Sequence, residues 1–220
     1  QGISDLAEKI IIERDLTLLE DYNCRYHISQ ISSSKSDEEI KQRKQKVDFS
    51  CGVSINNLSL NENDIGDFRT FLKLSPPLRT EDDRLSLIKA INNDLIDVIV
   101  SDHKPEDEES KRLTFYQSAS GASGVETLLP LALELFHNDS IKLSKIIASM
   151  TCNPAKILKI NKGNLNIGND ADFCIVDLYK PWILKKENLQ SKSKNTSIDD
   201  KKLQGLITNT YVKGEELFKI

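Results

Sequence analysis

The feature that most limits what this chain can become is its alternation, before residue 150, of short apolar runs with charged stretches of helical spacing. Asp97–Ser101 is the sharpest of the runs. Its centre, Val98-Ile99-Val100, is apolar without alternation, as expected of a strand buried on both faces. Arg25–Ile31 and Val47–Ser54 read as two further strands, the second weakened by Gly52. Residues 4–22 place Leu6, Ile10, Ile11, Leu16 and Leu19 at the spacing of an amphipathic helix. Ser36 with Glu39 is a capping-box pair opening a charged helix to about Lys46. Thr80 with Asp83 opens another, running to about Asn92. Helices follow over Gly124–His137, Ser140–Met150 and Asn153–Lys159, the last with Pro154 at its first position. Alternation of this kind predicts a parallel sheet and an α/β fold.

The connections are uneven. Residues 55–79 carry an Asn-rich patch, Gly66 and the Pro76-Pro77 pair, and 103–123 are charged and then rich in Ser, Ala and Gly. Long loops in a compact domain are usually functional or disordered. These two follow predicted strands, at the end where a parallel barrel keeps its active site. Three strand–helix units are too few to close such a barrel, so the chain is expected to hold only part of one. After residue 160 the texture changes. Gly163–Asp177 and Gln204–Ile220 read as short strands, and 184–202 as an extended polar, basic loop. The expected division is a (β/α) unit over 1–160 and a β-rich segment over 161–220.

With 38% hydrophobic and 29% charged residues, the 220-residue chain has material for a core. Its net charge of -4 is spread in both signs, which argues against a nucleic-acid partner. No apolar run approaches the ~20 residues that span a bilayer. Cys24, Cys51, Cys152 and Cys174 form no Cys-x-x-Cys pair. They read as small buried hydrophobes in a reducing, cytoplasmic setting. The start, Gln-Gly-Ile-Ser-Asp, lacks Met and suggests a chain that begins inside a longer protein.

Asp102, at the mouth of the buried strand, is the leading candidate for chemistry. A carboxylate there can ligate a metal and accept a proton, or it can simply end the strand. His103 beside it makes a polar mouth more probable, since Asp-His is costly to place without partners. His27 lies within a strand, where a satisfied core residue is the commoner case. His137, at a helix end, suits the helix dipole and receives no function. Lys104–Arg112 reads as a solvated face of mixed charge. Ser118–Gly124 is small enough to let a substrate reach backbone amides, or to act as a hinge. Arg79 is either a clamp for an anionic substrate or an exposed surface residue.

Several longer stretches carry a resemblance. Phe71-Leu-Lys-Leu-Ser-Pro-Pro-Leu-Arg79 resembles the Pro-Pro-Leu-Arg segment of dihydroorotases of the multifunctional-complex type. Asp97-Val-Ile-Val-Ser-Asp-His103 looks like their strand ending in Asp-His. Gly121-Ala-Ser-Gly-Val-Glu-Thr-Leu128 is similar to their Gly-x-x-Gly-x-Glu turn. Asn153-Pro-Ala-Lys-Ile-Leu158 and Gly163 to Asp172 look like the general amidohydrolase ending. The similarity runs over essentially the whole chain.

The resemblance implies the C-terminal part of a (β/α)8 TIM-type barrel, with strands of a small β-sandwich. It also implies a zinc-dependent hydrolase in pyrimidine biosynthesis, which interconverts dihydroorotate and N-carbamoyl-aspartate. Asp102 would be catalytic and a metal ligand, and Ser75, Glu106, Ser118 and Gly121 would lie at substrate positions. The resemblance further implies a small-molecule substrate, a homo-oligomer and a cytoplasmic protein.

The match departs from the family at informative places. The strand motif His-x-x-His reads His27-Ile-Ser-Gln30, with Gln30 at a ligand position. Pro-His-His-Leu reads Ile55-Asn56-Asn57-Leu58, with Asn56 where another ligand is expected. Neutral amides are poorer zinc ligands than imidazole. Ser75 replaces the Asn before Pro-Pro. Glu106 replaces the last His of Asp-His-x-Pro-His, where it would repel a substrate carboxylate.

Two readings stay open: a working dihydroorotase whose first half supplies the other ligands, or a non-catalytic homologue serving as structural partner of aspartate transcarbamoylase. Another cyclic amidohydrolase, such as a hydantoinase or allantoinase, fits less well because of Pro-Pro-Leu-Arg.

Overall fold

A computed structural model describes residues 3–22 and 24–220. It is an α/β structure with one parallel and one antiparallel sheet. Strands β1 (Tyr26–Ile31), β2 (Phe49–Ser54) and β3 (Val98–Val100) lie in that order, all parallel. Helix α1 (Asp5–Asp21) precedes β1, α2 (Asp37–Arg43) joins β1 to β2, and α3 (Ile55–Ser59) and α4 (Glu81–Asn92) join β2 to β3. The predicted parallel sheet is therefore present, with its strands in sequence order.

Local chemistry explains some of the helix ends. Thr80 and Asp83 form the expected reciprocal capping box at α4, each side chain bonding the other's backbone N–H. Ser36 does not cap α2. Its hydroxyl donates to Glu8 of α1 at 3.0 Å, a short 3-10 turn precedes the helix, and α2 ends at Arg43 rather than near Lys46. The buried stripe of α1 is Ile12, Leu16 and Leu19, whereas Leu6, Ile10 and Ile11 face outward. The helical period was right, but the face is rotated.

After β3 come α5 (Glu108–Arg112), α6 (Leu128–His137), α7 (Leu143–Met150) and α8 (Cys152–Leu158). Pro154 is the third residue of α8, not the first, and still within the first turn, where its missing N–H breaks no helical bond. The core gathers Leu16, Ile31, Ile55, Leu87, Leu131 and Ile146, all below 2% exposed. Cys51 joins it, and burial pushes its thiol up to about 12. Cys24 and Cys174 are exposed, so only part of the cysteine expectation holds.

The second sheet comprises β4 (Phe173–Ile183), β5 (Lys202–Val212) and β6 (Glu215–Lys219), antiparallel in that order. Residues 163–172, expected to start a strand, are mostly irregular, with a turn at 167–168. β5 packs against α6, with Gly205 close to Leu133. Residues 184–201 are irregular apart from a 3-10 turn at Lys186–Asn188, largely as expected, but not peripheral: Asn195, Thr196 and Ser197 are buried. No helix among the described residues is long and apolar enough to cross a membrane.

Among the described residues β1 has a partner on one side only, and α1 and the small sheet expose Leu6, Ile10, Ile11, Ile175, Leu217 and Phe218. An unpaired edge beside apolar surface promotes association. The isolated 220-residue chain is expected to self-associate in light scattering as its concentration rises. A monodisperse monomer with a sharp thermal transition would contradict this.

Candidate functional site

Gln30 sits one residue before the end of β1, and Asp102 two residues beyond β3. The two meet at the same end of the parallel sheet. Asp102 has φ 49, a left-handed conformation that Asp tolerates better than most residues and that persists only where the surroundings hold it. Its side chain is 2% exposed. Gln30 Nε2 donates to Asp102 Oδ1 at 2.8 Å, and Lys104 Nζ lies 3.1 Å from the same oxygen. Lys104 also donates to the carbonyl of Ser75 at 2.7 Å. The solvated face expected over Lys104–Arg112 holds for most of its length, Lys104 included, whose side chain is 46% exposed. It is broken at Lys111, which is buried with its ammonium on the carbonyls of Thr70 and Ala119.

His103 points elsewhere. Its Nδ1 accepts from Gly124 N at 3.1 Å and Val125 N at 3.4 Å, which leaves the ring proton on Nε2. The stretch 121–124 lies hard against the end of β3, paired through His103 and Ala122. Gly121 has φ 148, and a Cβ there would fall 2.5 Å from Lys104 O, so only glycine fits.

Asn56, at the start of α3, joins neither Gln30 nor Asp102. Its Oδ1 accepts from Ser197 Oγ at 2.7 Å, and its Nδ2 is buried without a hydrogen-bond partner. His27 is exposed on the edge strand with Nδ1 2.7 Å from Ser50 Oγ, so it is not a core histidine.

The expected substrate positions are scattered in role. Ser75 is exposed, and its carbonyl holds Lys104. Ser118 is buried and donates to Phe115 O, while Gly121 O accepts from Asn195 Nδ2 at 3.0 Å. The Ser118–Gly124 stretch is therefore packed rather than a mobile hinge. Glu106 lines a cavity of about 850 Å³ together with Phe71, His103, Pro105, Lys192 and Asn195. Arg79 is half-buried, bonded to Ser32 Oγ at 3.1 Å and to the carbonyl of Ile3, so it is neither an open clamp nor a free surface residue.

Sequence reasoning missed the strap 193–197. Asn195 Oδ1 accepts from Glu106 N at 3.2 Å, Ser193 Oγ donates to Glu106 O at 2.6 Å, and Thr196 pairs with Ser123. The strap ties the 106 loop to the 121 loop. Nothing periodic marks it, and a run of Ser, Asn and Thr reads as solvated.

Among the described residues, the donors around Asp102 do not by themselves make a zinc site. Asp102 Oδ1 is already met by an amide N–H and an ammonium. The Asn56 carbonyl is taken by Ser197, and His103 Nδ1 faces backbone amides. No cluster of three His, Cys, Asp or Glu side chains occurs among the described residues. Structural zinc takes four ligands and catalytic zinc three plus water.

A parallel βα sheet carrying a buried carboxylate at a strand end, next to a small antiparallel sheet, defines an α/β scaffold with its site at the strand ends. The sequence profile of the Amidohydrolase family matches residues 2–217. The chain is 39% identical over 220 residues to a dihydroorotase of Ehrlichia canis (strain Jake). It is 36% identical over 220 residues to one from Wolbachia of Drosophila simulans. These matches cover 99% of the chain and 49% and 50% of the relatives. Among solved structures, the L-hydantoinase of Arthrobacter aurescens superposes with TM-score 0.91 at 28% identity, over 96% of this chain and 49% of that one. A dihydropyrimidinase from Brevibacillus agri, 19% identical with TM-score 0.91 over 98% of this chain and 49% of that one, shares the fold. The chain belongs to the amidohydrolase family, and it spans about half the length of the curated relatives it matches.

Proposed function

We propose that this chain is the C-terminal part of a dihydroorotase-type amidohydrolase that has kept the scaffold and Asp102 but given up the metal chemistry. In this reading residues 1–160 complete a (β/α)8 barrel with a preceding half, and 161–220 contribute to a composite β-sandwich. The observation that carries it is Asp102 itself, whose Oδ1 is met by Gln30 Nε2 and Lys104 Nζ. The protein then serves pyrimidine biosynthesis as a non-catalytic partner of aspartate transcarbamoylase. Unpaired cysteines suit a cytoplasmic setting.

One observation favours a second reading, a working dihydroorotase. Asp102 is buried at the mouth of β3, where a carboxylate can take or return a proton during reversible ring closure of N-carbamoyl-aspartate to dihydroorotate. Against it, Glu106 stands where the family binds the substrate carboxylate through a His, and it would repel that anion.

The full-length protein separates the two. The expected result is no dihydroorotate formed above the uncatalysed rate, no stoichiometric zinc, and co-purification with aspartate transcarbamoylase. Turnover that disappears in Asp102→Ala would overturn the non-catalytic reading.

A further inference from the structure

We infer that Lys104 is a built-in counter-ion: its ammonium takes the place of an external cation at Asp102 and closes the centre to divalent metal. The inference builds on the functional reading above but is tested separately from it.

A carboxylate whose side chain is 2% exposed needs compensation for the water it has lost. Gln30 supplies one N–H at 2.8 Å, which satisfies a lone pair but not the charge. The charge is met by Lys104 Nζ at 3.1 Å, at the rim of the site, from a side chain that is itself 46% exposed. Lys104 is two residues further along the same loop, and the positive φ of Asp102 turns the backbone so that the long side chain folds back over it. Two bonds pin the loop in this shape: Lys104 N donates to Ala122 O at 2.9 Å, and Lys104 Nζ donates to Ser75 O at 2.7 Å. The ammonium thus joins the Asp102 loop to the Pro76-Pro77 turn, a cross-link of the kind a shared metal often makes between loops.

A divalent ion approaching Oδ1 meets three obstacles. The ammonium repels it at close range in a partly desolvated site. Gln30 presents an N–H donor to Asp102, so its amide must reverse before its oxygen can ligate. His103 Nδ1 is held by two backbone amides. A lysine in this loop is therefore more than a neutral filler. It supplies the positive charge that the carboxylate requires, from within the chain.

The test uses the full-length protein with Lys104→Met, Asp102→Asn, the double variant and Lys104→Arg. Thermal unfolding is measured with and without added zinc chloride, and metal content by mass spectrometry. The wild type is expected to carry no stoichiometric zinc and to show no shift in Tm with zinc. Lys104→Met alone is expected to lower Tm by about 5 °C or more, because it strands a buried charge. The double variant should recover most of that loss, a non-additivity that marks a direct pair. Lys104→Arg, which keeps the cation, should stay near wild type, and it preserves the test if Lys104→Met fails to fold. Stoichiometric zinc in the wild type would overturn the inference, as would a neutral Lys104→Met or losses that simply add. Turnover by a zinc-free protein would overturn the functional reading and leave this one standing. Bound zinc without turnover would do the reverse.

Discussion

Replacing Gly124 with alanine is expected to destabilise the chain by about 3 kcal/mol, lowering Tm by roughly 6–12 °C for a domain of this size. The cause is space. A Cβ at this position would lie 2.2 Å from Ser101 O and 3.2 Å from Ser101 C, both backbone atoms that no rotamer change can move. Relief requires lifting 121–124 off the end of β3. That breaks the pairing of His103 with Ala122 and the contact of His103 Nδ1 with Gly124 N. The effect therefore reaches the candidate site. Thermal unfolding of Gly124→Ala by circular dichroism is the measurement, and a loss of less than about 2 °C would show that the approach is looser than described.

Lys111 gives the second large effect, in pH dependence. Burial lowers its pKa to about 8, partly offset by the carboxylate of Glu106. In the unfolded chain a lysine titrates near 10.4. Between about pH 8 and 10.5 the unfolded state holds a proton that the folded state has released. Stability attributable to this residue therefore rises with pH across that window, and the cost of burying the ammonium is felt in full below it. At full strength the linkage approaches ~3 kcal/mol, and relaxation around the charged form reduces it to about 1–2 kcal/mol. Urea unfolding of wild type and Lys111→Met from pH 7 to 10.5 reads it directly. Wild type should gain on the variant by that amount as pH rises. A constant difference would mean that the lysine titrates normally.

The elements that could be read from residues alone share one property: their cause lies within a few positions. Thr80 and Asp83 cap α4 because a hydroxyl and a carboxylate three residues apart face each other's backbone N–H groups. Val98–Val100 forms a parallel strand because a run without polar alternation has to be covered on both faces. Ser36 failed as a cap for the opposite reason. The partner that claimed its hydroxyl, Glu8, is 28 residues away on α1, where it also accepts from the backbone of Ser32 and Ser33. The solvated reading of Lys104–Arg112 failed at one position for the same reason, since Lys111 is buried against Thr70, 41 residues earlier.

For the candidate site the division is the same. Asp102 was legible because it closes a recognisable strand, and Gln30 because it stands in a strand motif. That the two touch, 72 positions apart in sequence, was not. Nor was the strap, whose Asn195 reaches Glu106 across 89 residues and Gly121 across 74.

By itself, then, the sequence determined the parallel α/β scaffold, the strand that ends at Asp102 and the resemblance carried by its long motifs. Periodicity, capping and strand burial are local and written into neighbouring residues. Only the tertiary structure decided what Asp102 faces: the amide of Gln30 and the ammonium of Lys104. The charge environment of a buried carboxylate depends on where distant segments return in space, and on how much water they exclude when they do.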